Sequence, residues 1–176
     1  MKFRALALSA LVGLGCVLPP GGFARAADNT ETIDSGEGVT AARVGGQDLT
    51  CTDFRGRAVR MYTVAGLGDV GYSELFFRVP VIKLDPDVLA TLSDKLQIFF
   101  FLHECAHHKL AHLVNISETA ELEADCWAIH TGRDRRLLSR EDVESFRERI
   151  AASLGSRAGH PPGPERHAHM LKCFDG

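Results

Sequence analysis

The chain has 176 residues, 45% of them apolar and 24% charged, with a formal net charge of −3. That is the length of one ordinary domain with enough apolar material for a core. So small a charge, with no basic run and no aromatic-plus-basic cluster, excludes a nucleic-acid interface or a polybasic membrane-surface patch as the expected partner site.

In chain order, Lys2 and Arg4 precede an apolar stretch from Ala5 to Leu18, then Pro19-Pro20-Gly21-Gly22 and the small-x-small triplet Ala24-Arg25-Ala26. This pattern predicts a signal peptide over residues 1–26, with export to the periplasm or beyond in a bacterial setting. The apolar run is too short for a spanning helix, and no later segment reaches the length one needs, so no stable membrane span is expected. Residues 27–38 are polar and acidic and read as a flexible lead-in; residues 39–176 read as a single domain. Beyond the signal four cysteines remain, Cys51, Cys105, Cys126 and Cys173. In an oxidising compartment they predict up to two disulfides, with three connectivities open.

From Val39 to Leu84 the pattern is strand-like. Ala58–Val64 and Phe76–Ile82 are the clearest candidates, with a turn region at Gly66, Gly68 and Gly71 between them. Pro80 cannot donate to a ladder, which predicts an edge strand there, and an edge strand is a candidate surface for an extended peptide. Asp85-Pro86 predicts a capped helix start. A second helix is expected from Ser93-Asp94 to near Val114, apolar nearly all round and therefore central and buried. A third is expected from Ser117 to His130, stopping at Gly132. A fourth opens at Ser139-Arg140-Glu141-Asp142 and runs to near Gly155. After His160-Pro161-Pro162-Gly163-Pro164 comes a short last helix ending near Cys173. The outline is α+β: a small N-terminal sheet, then helices.

The chemistry concentrates in His103-Glu104-Cys105-Ala106-His107. Two histidines four apart on a helix lie on one face and can reach one metal ion, with zinc the expected cation at one per chain. Glu104, rotated about 100° from His103, sits beside such a metal as a general base that takes a proton from water and passes it to a leaving amine. Buried in an apolar helix without a cation, these groups would cost several kcal/mol. A third ligand is expected from the next helix. Glu121 is the first candidate and Glu118 the alternative, while Asp125, four after Glu121, is placed to orient a ligand histidine. Glu123 reads as solvated. His108 and His112, also four apart, form a weaker candidate for a second metal pair. Metzincin chemistry is excluded, because Leu110 and Leu113 stand where its glycine and third histidine belong.

Taken together, His103-Glu104-x-x-His107 with a further histidine at His112, Glu121-Leu122-Glu123-Ala124-Asp125 and His160-Pro161-…-Arg166 resemble the gluzincin family of HtpX and the type-1 CAAX prenyl proteases, over about half of the chain. The resemblance implies a zincin-like fold and metalloendopeptidase activity on a peptide or protein substrate. It also implies His103, His107 and Glu121 as zinc ligands, Glu104 as base, Asp125 behind them, His160 at the oxyanion and Arg166 supporting that region. The chain departs from the family in lacking later spanning segments and in its short spacing from His107 to Glu121, so it reads as a minimal soluble version. The alternative is a non-catalytic zinc-binding or chaperone-like protein of the cell envelope. Oligomeric state and cleavage specificity are not encoded in these motifs.

Overall fold

Alternating burial along Ala41–Val44 (β1) and a single buried Leu49 in Gln47–Thr50 (β2) lay one face of an antiparallel hairpin on the core. Its turn, Gly45-Gly46, has both φ positive. A side chain at Gly45 would place Cβ 2.2 Å from the Asp94 carbonyl oxygen, so only glycine lets the hairpin tip seat against the helix that begins at Asp94. The computed structural model describes residues 38–115, 119–153 and 161–176. The expected signal segment, nearly all of the lead-in, Glu118 and His160 lie outside them.

A second sheet contains Arg60–Thr63 (β3), Gly71–Phe76 (β4) and Val79–Leu84 (β5) in the order β3-β5-β4. β3 runs parallel to β5, and β4 antiparallel to it. The expectation for Phe76–Ile82 is overturned here. Phe77 and Arg78 form a two-residue hairpin turn, both with positive φ, and the strand that follows is central rather than an edge. The physical reason is register. A two-residue turn closes on the bonded pair Phe76–Val79, so Leu75–Pro80 is a non-bonded pair and the proline nitrogen faces away from β4. On the other side, β3 pairs only from Val81 onward. The missing N–H therefore costs no ladder bond, and β4 is an outer strand of the sheet.

The helices are Pro86–Leu89 (α1), Asp94–Lys109 (α2), Ala120–Asp134 (α3), Arg140–Ser145 (α4), Arg147–Ile150 (α5) and Gly163–Asp175 (α6). The chain is α+β, with small N-terminal sheets and a helical C-terminal half. Asp85 caps α1 by accepting from the Asp87 and Val88 N–H groups, with Pro86 at the first position. Ser93 caps α2, and Ser139 and Asp142 form a full capping box on α4. α2 is buried from Leu96 to His108 on nearly every side, as its apolar run predicts. Its Phe99 packs on Phe146 with ring centroids 5.6 Å apart. No helix among the described residues is long and apolar enough to cross a membrane.

Both long helices end differently from expectation. α2 stops at Lys109, not near Val114. Ala111 turns left-handed at φ 61°, its N–H donates to the His108 carbonyl, and the His112 N–H donates to that of His107. This is a Schellman motif with alanine where glycine is usual. α3 passes through Gly132 and ends by the same device at Arg136, φ 57°. Gly132 is no stop signal; a Cβ there would lie 2.5 Å from the Leu138 side chain, so the residue is small for packing. The expected fourth helix is broken into α4 and α5, and the last helix is longer than expected, reaching Asp175. A left-handed alanine costs roughly 1–2 kcal/mol, partly offset by glycine's greater unfolded freedom. Ala111→Gly is therefore expected to raise unfolding free energy by up to about 1 kcal/mol, read by urea denaturation. An unchanged or lower midpoint would contradict that assignment of strain.

The cysteines pair as Cys51–Cys105 and Cys126–Cys173, with Cα separations of 5.7 and 5.1 Å. Both are at disulfide distance, which is compatible with export. The first ties the loop after β2 to the centre of α2; the second ties α3 to α6.

Candidate metal centre

One turn of α2 carries His103 and His107, and the start of α3 brings Glu121 against them. The Nε2 atoms of the two histidines lie 3.2 Å apart. Glu121 Oε2 is 3.1 Å from His103 Nε2, and its Oε1 is 3.6 Å from His107 Nε2. A tetrahedral zinc with bonds of about 2.0–2.1 Å sets its donors about 3.3–3.4 Å apart, so this spacing fits one ion. The donor set of two imidazoles and a carboxylate is also the right chemistry, with a fourth position left for a reactant.

The hydrogen-bond network assigns the tautomers. His103 Nδ1 lies 2.8 Å from Asp125 Oδ1 and donates to it, leaving the Nε2 lone pair facing inward. His107 Nδ1 lies 3.2 Å from His112 Nδ1, and His112 Nε2 lies 3.1 Å from Glu123 Oε2. If Glu123 accepts from His112, His112 accepts from His107, and the Nε2 of His107 also presents a lone pair. Two ring lone pairs and a carboxylate converging on one point repel one another unless a cation or proton lies between them. His103 shows the same field. Burial alone would favour its neutral ring, but the hydrogen bonds to Asp125 and Glu121 outweigh burial and push its pKa up to about 9. Carboxylates that hold a proton there would hold a divalent cation in its place.

Behind His103, Arg166 of α6 grips Asp125 with two bonds, Nη2 to Oδ1 at 2.6 Å and Nε to Oδ2 at 2.7 Å. Asp125 is fully buried and Arg166 is 7% exposed. Burial would raise the Asp125 pKa, but Arg166 and His103 hold it below the usual carboxylate range. Arg166 thus neutralises the aspartate that orients a ligand histidine.

Glu104 is half-buried and lines a cavity of about 420 Å³ together with His103, Arg166, Phe100, Gly71 and Arg149. The cavity opens between α2, the start of β4 and α5. Ser73 of β4 donates its hydroxyl to the Glu104 backbone carbonyl at 2.6 Å, fixing that strand beside this part of α2. The Cys51–Cys105 pair anchors α2 midway between His103 and His107.

The residue pattern brings His103, His107, Glu121 and Asp125 to one place and the resemblance alone adds Arg166; the structure sets all five side by side. Sequence reasoning gives His112 only as a further histidine of the resemblance and as a candidate partner of His108, and it reads Glu123 as solvated; the structure joins the two behind His107. His112 is not paired with His108: His108 Nε2 donates to the Val81 carbonyl of β5 at 2.9 Å, a buried tie between helix and sheet. Glu123, although half-exposed, accepts from His112 and Thr119 rather than standing free in solvent. The five-residue step from His107 to His112 carries no helical meaning, because the Schellman turn between them is what folds the ring back. No family model, no curated protein and no solved structure matches the chain.

Proposed function

We propose that the protein is an exported zinc-dependent endopeptidase with a zincin-like site. The observation that carries this reading is the convergence of three donor atoms from His103, His107 and Glu121, at spacings suited to one tetrahedral ion, with Glu104 on the wall of the adjoining cavity. Zn²⁺ held there would supply Lewis acidity, polarising a carbonyl and lowering the pKa of a water. The remaining work falls to the chain. Glu104 takes the proton of the attacking water and returns it to the departing amine. Asp125 and His112 keep the two histidines in the tautomer that presents Nε2. β4, an outer strand of its sheet, offers backbone groups along which an extended peptide can lie. Among the residues implied by the resemblance, His160 remains the proposed oxyanion donor, and Arg166 acts through Asp125.

The test is metal content and chelation. The purified protein is expected to carry one zinc per chain and to cleave a denatured protein substrate. Activity should vanish with a chelator and return with added Zn²⁺. A protein that binds zinc yet leaves a broad peptide library uncut would instead be the non-catalytic zinc-binding protein of the cell envelope.

A further inference from the structure

The two cysteine pairs have different surroundings. Cys51 Sγ has the Thr52 and Cys105 carbonyl oxygens beside it, as a buried staple requires. The other pair has an imidazole in contact. His169 Nε2 lies 3.1 Å from Cys126 Sγ and 3.2 Å from the Leu122 carbonyl. The ligand atoms of Cys126, His169 and Cys173 all lie within 4.8 Å of one another. His169 and Cys173 are four apart on α6, so they share a face, and Cys126 faces them from α3. Glu165, one turn before His169, lies on the same stripe. It lines with His169, Leu122 and Lys172 a cavity of about 360 Å³ that gives this face access to solvent.

We propose that Cys126, Cys173 and His169 form a second zinc-class site, open when the two cysteines are reduced and closed when they join as a disulfide. Two thiolates and one imidazole are three of the four ligands that a tetrahedral thiophilic ion takes, with Glu165 or water available for the fourth position. The balance is simple. A dithiol gives two electrons and two protons to the Cys126–Cys173 bond and leaves as its own cyclic disulfide. Zn²⁺ then displaces the two thiol protons and binds both sulfurs. A newly made chain reaches the same state before oxidation. Disulfide and metal are thus alternative clamps between α3 and α6, next to the Asp125–Arg166 pair that both helices supply. The site shares no ligand with His103, His107 and Glu121, and it stands whether or not that centre hydrolyses peptides.

Cadmium is the probe, because thiolate-to-cadmium charge transfer absorbs in the ultraviolet and the first centre has no thiolate. The oxidised protein is expected to show no such band. The protein reduced by a dithiol should gain it, with Cys126 and Cys173 shielded from alkylation in a mass-spectrometric readout and Cys51 and Cys105 not shielded. His169→Ala should weaken cadmium binding at this site by roughly tenfold or more, the scale on which even outer contacts to a metal site act. The proposal is overturned if cadmium leaves Cys126 and Cys173 alkylating at the metal-free rate, or if His169→Ala binds as tightly as the wild type. The alkylation readout uses the unmodified chain, so a variant that fails to fold does not spare the proposal.

Discussion

Replacing Glu104 by glutamine is expected to lower kcat/KM for peptide hydrolysis by about 10²–10⁴-fold while zinc content stays at one per chain. The reasoning is geometric. Glu104 follows His103 by one position and therefore leaves the helix rotated away from the donor face that His103, His107 and Glu121 share. Its carboxylate reaches the adjoining cavity instead. Glutamine keeps the shape and the hydrogen-bonding reach but cannot accept the proton. Metal content by atomic absorption and initial rates on one peptide check both halves of the claim. Loss of zinc together with activity would mean that Glu104 belongs to the ligand set. Unchanged activity would remove it from the chemistry.

Arg166→Ala is expected to lower the unfolding free energy by about 3–5 kcal/mol, the usual cost of leaving one partner of a buried ion pair uncompensated. Asp125 is fully buried and accepts both Arg166 bonds, so its charge would stand alone with His103. Urea denaturation of the metal-free protein reads the stability. Zinc affinity should fall as well, by about 10–100-fold, because an unneutralised Asp125 no longer holds His103 in place. The double variant Asp125→Asn/Arg166→Met separates the two roles. Removing both charges should recover much of the stability but not the affinity. If the double variant binds zinc like the wild type, Asp125 and Arg166 hold the fold together and do not tune the centre.

Much of the candidate site was legible because its parts are local. His103 and His107 meet through helical spacing alone, and Glu121 and Asp125 share a face by the same rule. Two histidines and a glutamate inside the apolar run of α2 call for a cation on sequence grounds alone. The link from His107 through His112 to Glu123 was illegible for the opposite reason. His112 meets His107, and Glu123 meets His112, only because α2 ends at Ala111 in a left-handed turn, and alanine carries no signal for that conformation. Gly132 misled in the reverse sense: it looked like a stop and serves as a packing notch for Leu138. Pro80 misled because its cost depends on register, which strand composition does not encode.

The sequence by itself determined that strands precede helices, the buried status of α2, the caps at Asp85, Ser93 and Ser139, and the face on which His103 and His107 lie. Each of these rests on interactions within a few residues. Only the tertiary structure decided which strand is central, which cysteines pair, and that Arg166 reaches across 41 positions to Asp125. Those outcomes depend on how separate elements pack, and packing is set by the whole core rather than by any one segment. The motif His103-Glu104-Cys105-Ala106-His107 names the donors; the packing of α2 against α3 and α6 aims them.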